Sequence, residues 1–352
     1  MSHIIDILQP TPVIIGVDTH AEEHEAAVLD TTGRMLAHHR FPANDSGYRQ
    51  LLDWAAGYGP ILAAGIEQTG SYGAGLSRHL AAAGVDVREV HDTHRAVKAR
   101  RGKNDVIDAE QAARKVLSGQ AAAVAKDTTG VIEAIRQIKV ARDSAVKSRT
   151  IALQQIRDLL VTGPDHLRQE LAGRTLPAKA RALATKTPTA APGSPEHAAV
   201  TALGRLARRV MLLATEIRDA DHDLETLVDA TAPTLRALTG VGAHTAAQLL
   251  VSCGPNNRIH SSAAMARLFG IAPVPASSGK TNRWRLHRGG DRQANRAIYI
   301  TVITRLAHHE PTKTYRDRRQ KDGLSNPDII RCLKRYVVRE IYQALKTDLG
   351  WT

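Results

Sequence analysis

The chain has 352 residues, 43% hydrophobic and 24% charged, with a formal net charge of +13. No apolar run is long enough to span a bilayer and the first residues do not read as a signal peptide, so a cytoplasmic protein without a membrane partner is expected. The excess of Lys and Arg points to a polyanion, nucleic acid above all, while Cys253 and Cys332 offer neither a disulfide framework nor zinc-ligand spacing.

Residues 13–41 read as three strands: "VIIGVD", "HEAAVLD" and, after the turn "TTG", "RMLAHHRF". "SGYRQLLDWAAG" then has helical spacing, "ILAAGIE" reads as a buried strand, "GAGLSRHLAAAG" as a helix and "VDVREV" as another strand. Three strands followed by alternating helix and strand predict a mixed α/β sheet. A long helix is predicted over 131–162, with Ile135, Ile138, Ala141, Ala145, Ala152, Ile156 and Leu159 on one stripe. A second is predicted over 199–229. Its stripe is Leu203, Leu206, Val210, Leu213, Ile217, Ala220, Leu224 and Leu227, whose steps alternate three and four, the seam of a coiled coil. Such a seam closes a hairpin within one chain or also joins protomers; the second is the expectation. Between the helices, "TKTPTAAPGSPEH" is Pro-rich, and about 163–198 is expected to be a linker. Beyond 231 the chain turns basic: Lys280 to Glu340 holds 16 Lys and Arg against 6 Asp and Glu. The expected domains are 1–127, 128–230 and 231–352.

Three constellations carry chemistry. The first is acidic: Asp18 ends "IIGVD", Glu67 ends "AAGIE", and Asp105 and Asp108 stand three apart in "KNDVIDAE", on one helical face. Each alone reads as a cap or turn residue. Together they suit a hard divalent cation, Mg²⁺ or Mn²⁺, since oxygen ligands accept both. Two such ions about 3.5–4 Å apart serve phosphoryl transfer, and the neighbouring Arg101 and Lys103 suit a phosphate backbone. The second is "LRALTGVGAHTAAQLL", 235–250, where two helical segments flank "GVG". It reads as a helix-hairpin-helix gripping a nucleic-acid backbone, or as an ordinary packing unit. The third is "PVPASSGKTNRWRLHRGGDRQANRAIY", 273–299. A Ser-Ser-Gly turn precedes a run in which Lys280, Arg283, Arg285, Arg288, Arg292 and Arg296 suit phosphates, and Trp284 a stacked base.

In this order, "VIIGVDTH", "GIEQTGSYG", "KNDVIDAEQAAR", "LTGVGAHTAAQLL", "LFGIAPVPASSGKT" and "RGGDRQANRAIY" resemble the DEDD insertion-sequence transposases, the bridge-RNA-guided recombinases, over nearly the whole chain. The resemblance implies an N-terminal RuvC-like (ribonuclease-H-like) α/β domain, a long helical coiled coil and a mostly helical C-terminal transposase domain. It implies that Asp18, Glu67, Asp105 and Asp108 are the catalytic metal-binding acids. The nucleophile is implied to be the serine directly before the glycine, Ser278, with Ser277 adjacent. Implied partners are donor and target DNA, a non-coding bridge RNA that pairs with both, and further copies of the chain, as a dimer or tetramer sharing active sites. The rivals on sequence are a RuvC-like nuclease or junction resolvase that uses water, a non-catalytic nucleic-acid-binding protein, and a sugar-kinase-like fold, for which "GSYGAG" is a weak phosphate loop.

Overall fold

Seven consecutive buried residues form β1 (Val13–Thr19), a run apolar enough to sit in the middle of a sheet. The computed structural model describes residues 11–90, 104–121, 124–277, 279, 281 and 284–351. Two compact units result: Met1–Gly130 with Gly254–His260, and Val131–Cys253 with Ser261–Thr352.

In the first unit β1 pairs antiparallel with β2 (Glu23–Asp30), which pairs antiparallel with β3 (Met35–Pro42). On its other side β1 runs parallel to β4 (Ile61–Glu67), and β4 parallel to β5 (Asp86–Val90). The strand order is β3-β2-β1-β4-β5, consistent with a ribonuclease-H-like core. The expected strands and helices therefore appear in the expected order, with α1 (Asp45–Ala56) and α2 (Ala74–Ala82) between them. These two helices share one apolar core with the sheet, built on Val13, Ile15, Val17, Leu51, Ile66, Leu76 and Leu80.

The other core of this unit receives α3 (Asp105–Leu117), opened by Asn104, whose side chain accepts a hydrogen bond from the Val106 N–H. It presents Ala109, Ala112 and Ala113, all fully buried, to the sheet. Opposite them the paired strands offer Gly16 and Gly65. A Cβ on Gly16 would lie 2.0 Å from the Ala109 carbonyl oxygen, and one on Gly65 2.6 Å from that of Ala112. Small residues on both sides let the helix backbone rest on the strands, and this places the first turn of α3.

The second unit is helical apart from one two-stranded ribbon among its described residues. Its long helices are α4 (Gly130–Thr162) and α7 (Pro195–Thr231). Between them residues 163–198, expected as a linker, hold α5 (Asp165–Glu170) and α6 (Leu176–Ala184). Leu167, Leu171, Ala180 and Leu183 bury there against Ala152, Ile156 and Leu160 of α4 and Val200, Leu203, Ala207 and Val210 of α7. Apolar side chains at helical spacing outweighed the Pro and Gly punctuation. Along α7 the seam residues Leu203, Val210, Ile217 and Leu224 are buried within their own chain, and Arg142 Nε of α4 donates to Asp221 of α7 at 2.8 Å.

The rest of this unit comprises α8 (Pro233–Ala237), α9 (Ala243–Cys253), α10 (Ser262–Leu268), α11 (Arg292–His308), α12 (Glu310–Lys321) and α13 (Asn326–Asp348). Leu249, Phe269, Ile298, Val302, Val338 and Ile341 are fully buried.

Candidate active site

The acids of the first unit sit on two strand ends and one helix start. Asp18 lies two residues beyond Gly16, so it shares the strand face that receives α3. Glu67 lies two beyond Gly65 and follows Ile66, the register partner of Val17. It therefore ends β4 beside Asp18 and on the same face. Its backbone is tied there, because the Thr19 hydroxyl donates to the Glu67 carbonyl at 3.1 Å. Asp105 and Asp108 occupy the first turn of α3, Asp105 one turn before the Ala109 contact and Asp108 directly before it. Carboxylates there also meet the positive end of the helix dipole.

Asp18 is only 7% exposed. His20 Nε2 stands 3.3 Å from one Asp18 oxygen and 3.7 Å from an Asp105 oxygen. Ligand-type atoms of Asp18, His20 and Asp105 all lie within 4.8 Å of one another, and among the described residues no other trio does so. Glu67, at the end of β4, and Asp108, in the first turn of α3, are outside this trio. Of the two helical acids spaced three apart, Asp105 is the one in the trio with Asp18 and His20.

His20 is the residue the sequence reading missed. Its position comes from the short β1–β2 turn, which is held by a second histidine. His24 is fully buried, stacks on Tyr48 at 5.8 Å between ring centroids, and accepts a hydrogen bond at Nδ1 from the His20 N–H at 3.4 Å. Burial pushes the His24 pKa below the ordinary imidazole value, so the ring is neutral and free to accept. The only hint in the sequence was the density of histidines in "DTHAEEHE".

One strand further out, Glu25 is the direct cross-strand partner of Asp18, and Arg40 that of Glu25. Glu25 is 3% exposed and accepts from Arg40 Nε at 2.8 Å, with His38 Nδ1 at 3.0 Å. Arg40 also reaches within 3.7 Å of Asp105. The acidic cluster thus has a cationic rim, and an open cleft lies over it, lined by His20, His24, Glu25, Arg40 and Asp105.

In the second unit, the serine turn lies between the strands of the ribbon, β6 (Val274–Pro275) and β7 (Trp284–Arg285). Ser277 is exposed and Gly279 has φ +51°, the left-handed region that glycine tolerates. Ser278, Lys280 and Arg283, like Arg101 and Lys103 of the first unit, lie outside the described residues. Arg285, Arg288, Arg292 and Arg296 are all exposed, and none forms an ion pair with a described residue. The segment's two ends are locked together. A Cβ on Gly290 would meet the Gly270 nitrogen at 2.2 Å, and the Asp291 N–H donates to the Leu268 carbonyl at 2.8 Å. Asp291 caps α11 through the Gln293 and Ala294 N–H groups. "LFG" and "RGGDRQAN" are therefore the clamp that presents the ribbon.

The "GVG" turn falls between α8 and α9. Its carbonyls are held by arginines: Arg305 Nε donates to Thr239 at 2.7 Å and Arg236 Nη1 to Val241 at 3.0 Å. Gly242 faces open space and is exposed, whereas α9 is mostly buried. The turn is both a packing unit and an exposed backbone edge.

Comparison with known proteins gives the following. Residues 15–163 match the IS110-type DEDD transposase profile, described as a transposase. Residues 232–317 match the profile described as the transposase IS116/IS110/IS902 family. The chain is 28% identical over 155 residues to the insertion element IS900 uncharacterized 42 kDa protein of Mycobacterium paratuberculosis, covering 43% of this chain and 39% of that protein. It is 30% identical over 115 residues to the insertion element IS110 uncharacterized 43.6 kDa protein of Streptomyces coelicolor, covering 32% and 28%. The matched segments span about a third of the length of these curated relatives. Among the described residues no helix is long and apolar enough to cross a membrane.

Proposed function

We propose that this chain, which carries an IS110-type DEDD transposase domain followed by an IS116/IS110/IS902-family C-terminal domain, is an insertion-element transposase that cuts and rejoins DNA. The observation that carries the reading is the meeting of Asp18 and His20, from the end of β1 and the turn after it, with Asp105, from the start of α3, within one matched region.

The donor set fits a divalent cation: two carboxylates and an imidazole converge, with Glu67 and Asp108 beside them to complete an oxygen-rich shell. Such an ion, Mg²⁺ or Mn²⁺, supplies positive charge at the reacting phosphate and eases deprotonation of the attacking oxygen. The residues do the rest. Asp18, Glu67, Asp105 and Asp108, with His20, would hold the cation, and His24 and Tyr48 fix the turn that aims His20.

Ser278 is the nucleophile in this reading. A bond forms between its Oγ and phosphorus, a backbone P–O bond breaks, and the serine proton leaves with the departing strand as a hydroxyl. Attack by a second strand's hydroxyl on the phosphoserine then restores the serine and joins the strands. The intermediate keeps the energy of the phosphodiester, so rejoining needs no nucleotide cofactor. Arg285, Arg288, Arg292 and Arg296, with Lys280 and Arg283, hold the phosphate backbone and offset charge on it; the same role is assigned to Arg101 and Lys103, which precede Asp105 in sequence. Sequence choice is assigned to a non-coding bridge RNA pairing with donor and target DNA, and the assembly to a dimer or tetramer in which one protomer's acids act with another's serine.

The test is denaturing electrophoresis of the protein incubated with labelled element-end DNA and Mg²⁺ or Mn²⁺. A covalent protein–DNA adduct is expected, lost in Ser278→Ala, kept in Ser277→Ala, and lost on chelation. Strand breaks without any adduct would replace this reading with that of a water-dependent nuclease.

A further inference from the structure

The helices α12 and α13 enclose a cleft of about 370 Å³ that the reading above leaves unused. Four guanidinium groups line it, those of Arg318, Arg319, Arg335 and Arg339, together with Tyr315 and Tyr336, and no carboxylate does. The rings meet at 5.5 Å and 73°. Arg318 lies over Tyr315 at 5.4 Å and Arg339 over Tyr336 at 5.6 Å.

Two features mark the cleft as built for an anion. The first is unmet hydrogen-bonding capacity. Arg335 Nη2 donates to Ser262 and Arg319 Nη1 to Asp322, yet Arg335 Nη1 and Arg319 Nε are buried with no partner among the described residues. Buried donors without acceptors are costly. The second is like charge gathered in one place: burial, then the neighbouring Arg339, pushes the Arg335 pKa below the ordinary guanidinium value. A phosphate would relieve both.

The tyrosines narrow the choice of anion. Tyr336 is 46% exposed, so its ring, packed by Arg339 and Tyr315, is about half open beside the guanidinium groups. In a duplex the base faces are covered by their neighbours and only edges are offered in the grooves. A ring beside arginines instead suits an unpaired base, which stacks without regard to its identity.

We propose that this cleft binds an unpaired nucleotide, its base stacked on Tyr336 and its phosphate held by Arg335 and Arg319. The proposal rests on reading the chain as one that acts on nucleic acid, and it deepens that reading by assigning a site for single strands. DNA and RNA strands share this chemistry.

The experiment is fluorescence anisotropy of the full chain with labelled oligothymidylate, oligouridylate and a duplex of equal length. Tyr336→Ala is expected to weaken single-strand binding about tenfold, the range for one stacked base, and to leave duplex binding unchanged. Tyr336→Phe, which keeps the ring, should bind like the parent. Tyr336→Trp should lose indole fluorescence as single strand is added. The larger loss, on thymidylate or on uridylate, identifies the strand as DNA or RNA. Equal losses on duplex and single strand, or no loss with the melting temperature unchanged, would overturn the proposal. Loss of the serine adduct with Tyr336-dependent binding intact would sink the transposase reading alone.

Discussion

Gly16 and Ala109 meet backbone to backbone: a Cβ on Gly16 would fall 2.0 Å from the Ala109 carbonyl oxygen. That contact holds α3 on the sheet and sets Asp105 beside Asp18. Gly16→Ala must therefore lift the helix. Overpacking of this kind costs about 1–3 kcal/mol, and the displaced first turn should also loosen the acid cluster. The expected outcome is a lower melting temperature together with weaker Mn²⁺ binding by calorimetry. Gly70→Ala, where a Cβ meets nothing within 4 Å, should leave stability near the parent's.

The carboxylates and His20 make separable predictions. Asp18→Asn and Asp105→Asn remove the charges that hold a cation and should cut DNA strand transfer by about 10²–10³-fold or more, the scale for losing a preorganised electrostatic group. Far-UV circular dichroism should stay unchanged. His20→Ala should weaken Mn²⁺ binding by about 10–100-fold, as when groups that orient metal ligands are removed. Tighter Mn²⁺ binding in His20→Ala would instead mean that the imidazole serves as a counter-ion to Asp18 and Asp105.

The strands were legible because their apolar runs are short, bounded by turns and rich in Val and Ile, and the meeting of Asp18 with Asp105 was approachable because the one closes such a run and the other opens a helix. His20 was not, since its place depends on a turn that His24 and Tyr48 fix through burial, and one imidazole in a polar loop has no period to betray it. The same limit applied to α5 and α6: Leu167, Leu171 and Leu183 have helical spacing, but each helix is too short to show it against the flanking Pro and Gly. Along α7 a three-four stripe looks the same whether its cover comes from the same chain or another. Here Ile156 and Leu160 of α4 and Leu183 of α6 share one buried cluster with Leu203 and Val210.

That burial can be tested. Leu203 is fully buried, so Leu203→Ala should cost about 2–5 kcal/mol. Urea unfolding is the measurement, and the loss should not change with protein concentration, because the partners of Leu203 lie in its own chain. Leu212, 70% exposed on the same helix, should tolerate Ser with little change. A Leu203→Ala midpoint that moves with dilution would show that the seam is completed by a second copy.

The last prediction concerns acid. His244 opens the second turn-flanking helix near α4 and α7, and its pKa is lowered, first by burial and then by the positive charges of Arg142 and Lys139. Asp221 lies 4.0 Å from its Nε2, too far to hold a proton against those two cations. The folded state therefore keeps the ring neutral where the unfolded chain would charge it. The unfolded state binds more protons, so stability rises with pH across the interval between the lowered folded value and the unfolded value near 6.5, and falls as pH drops through that interval. Replacing His244 by Gln removes the titration. The drop in melting temperature from neutral to mildly acidic buffer should then shrink by on the order of 1–2 °C relative to the parent. An unchanged or steeper drop in His244→Gln would mean that the ring charges in the folded state and that Asp221 outweighs Arg142 and Lys139.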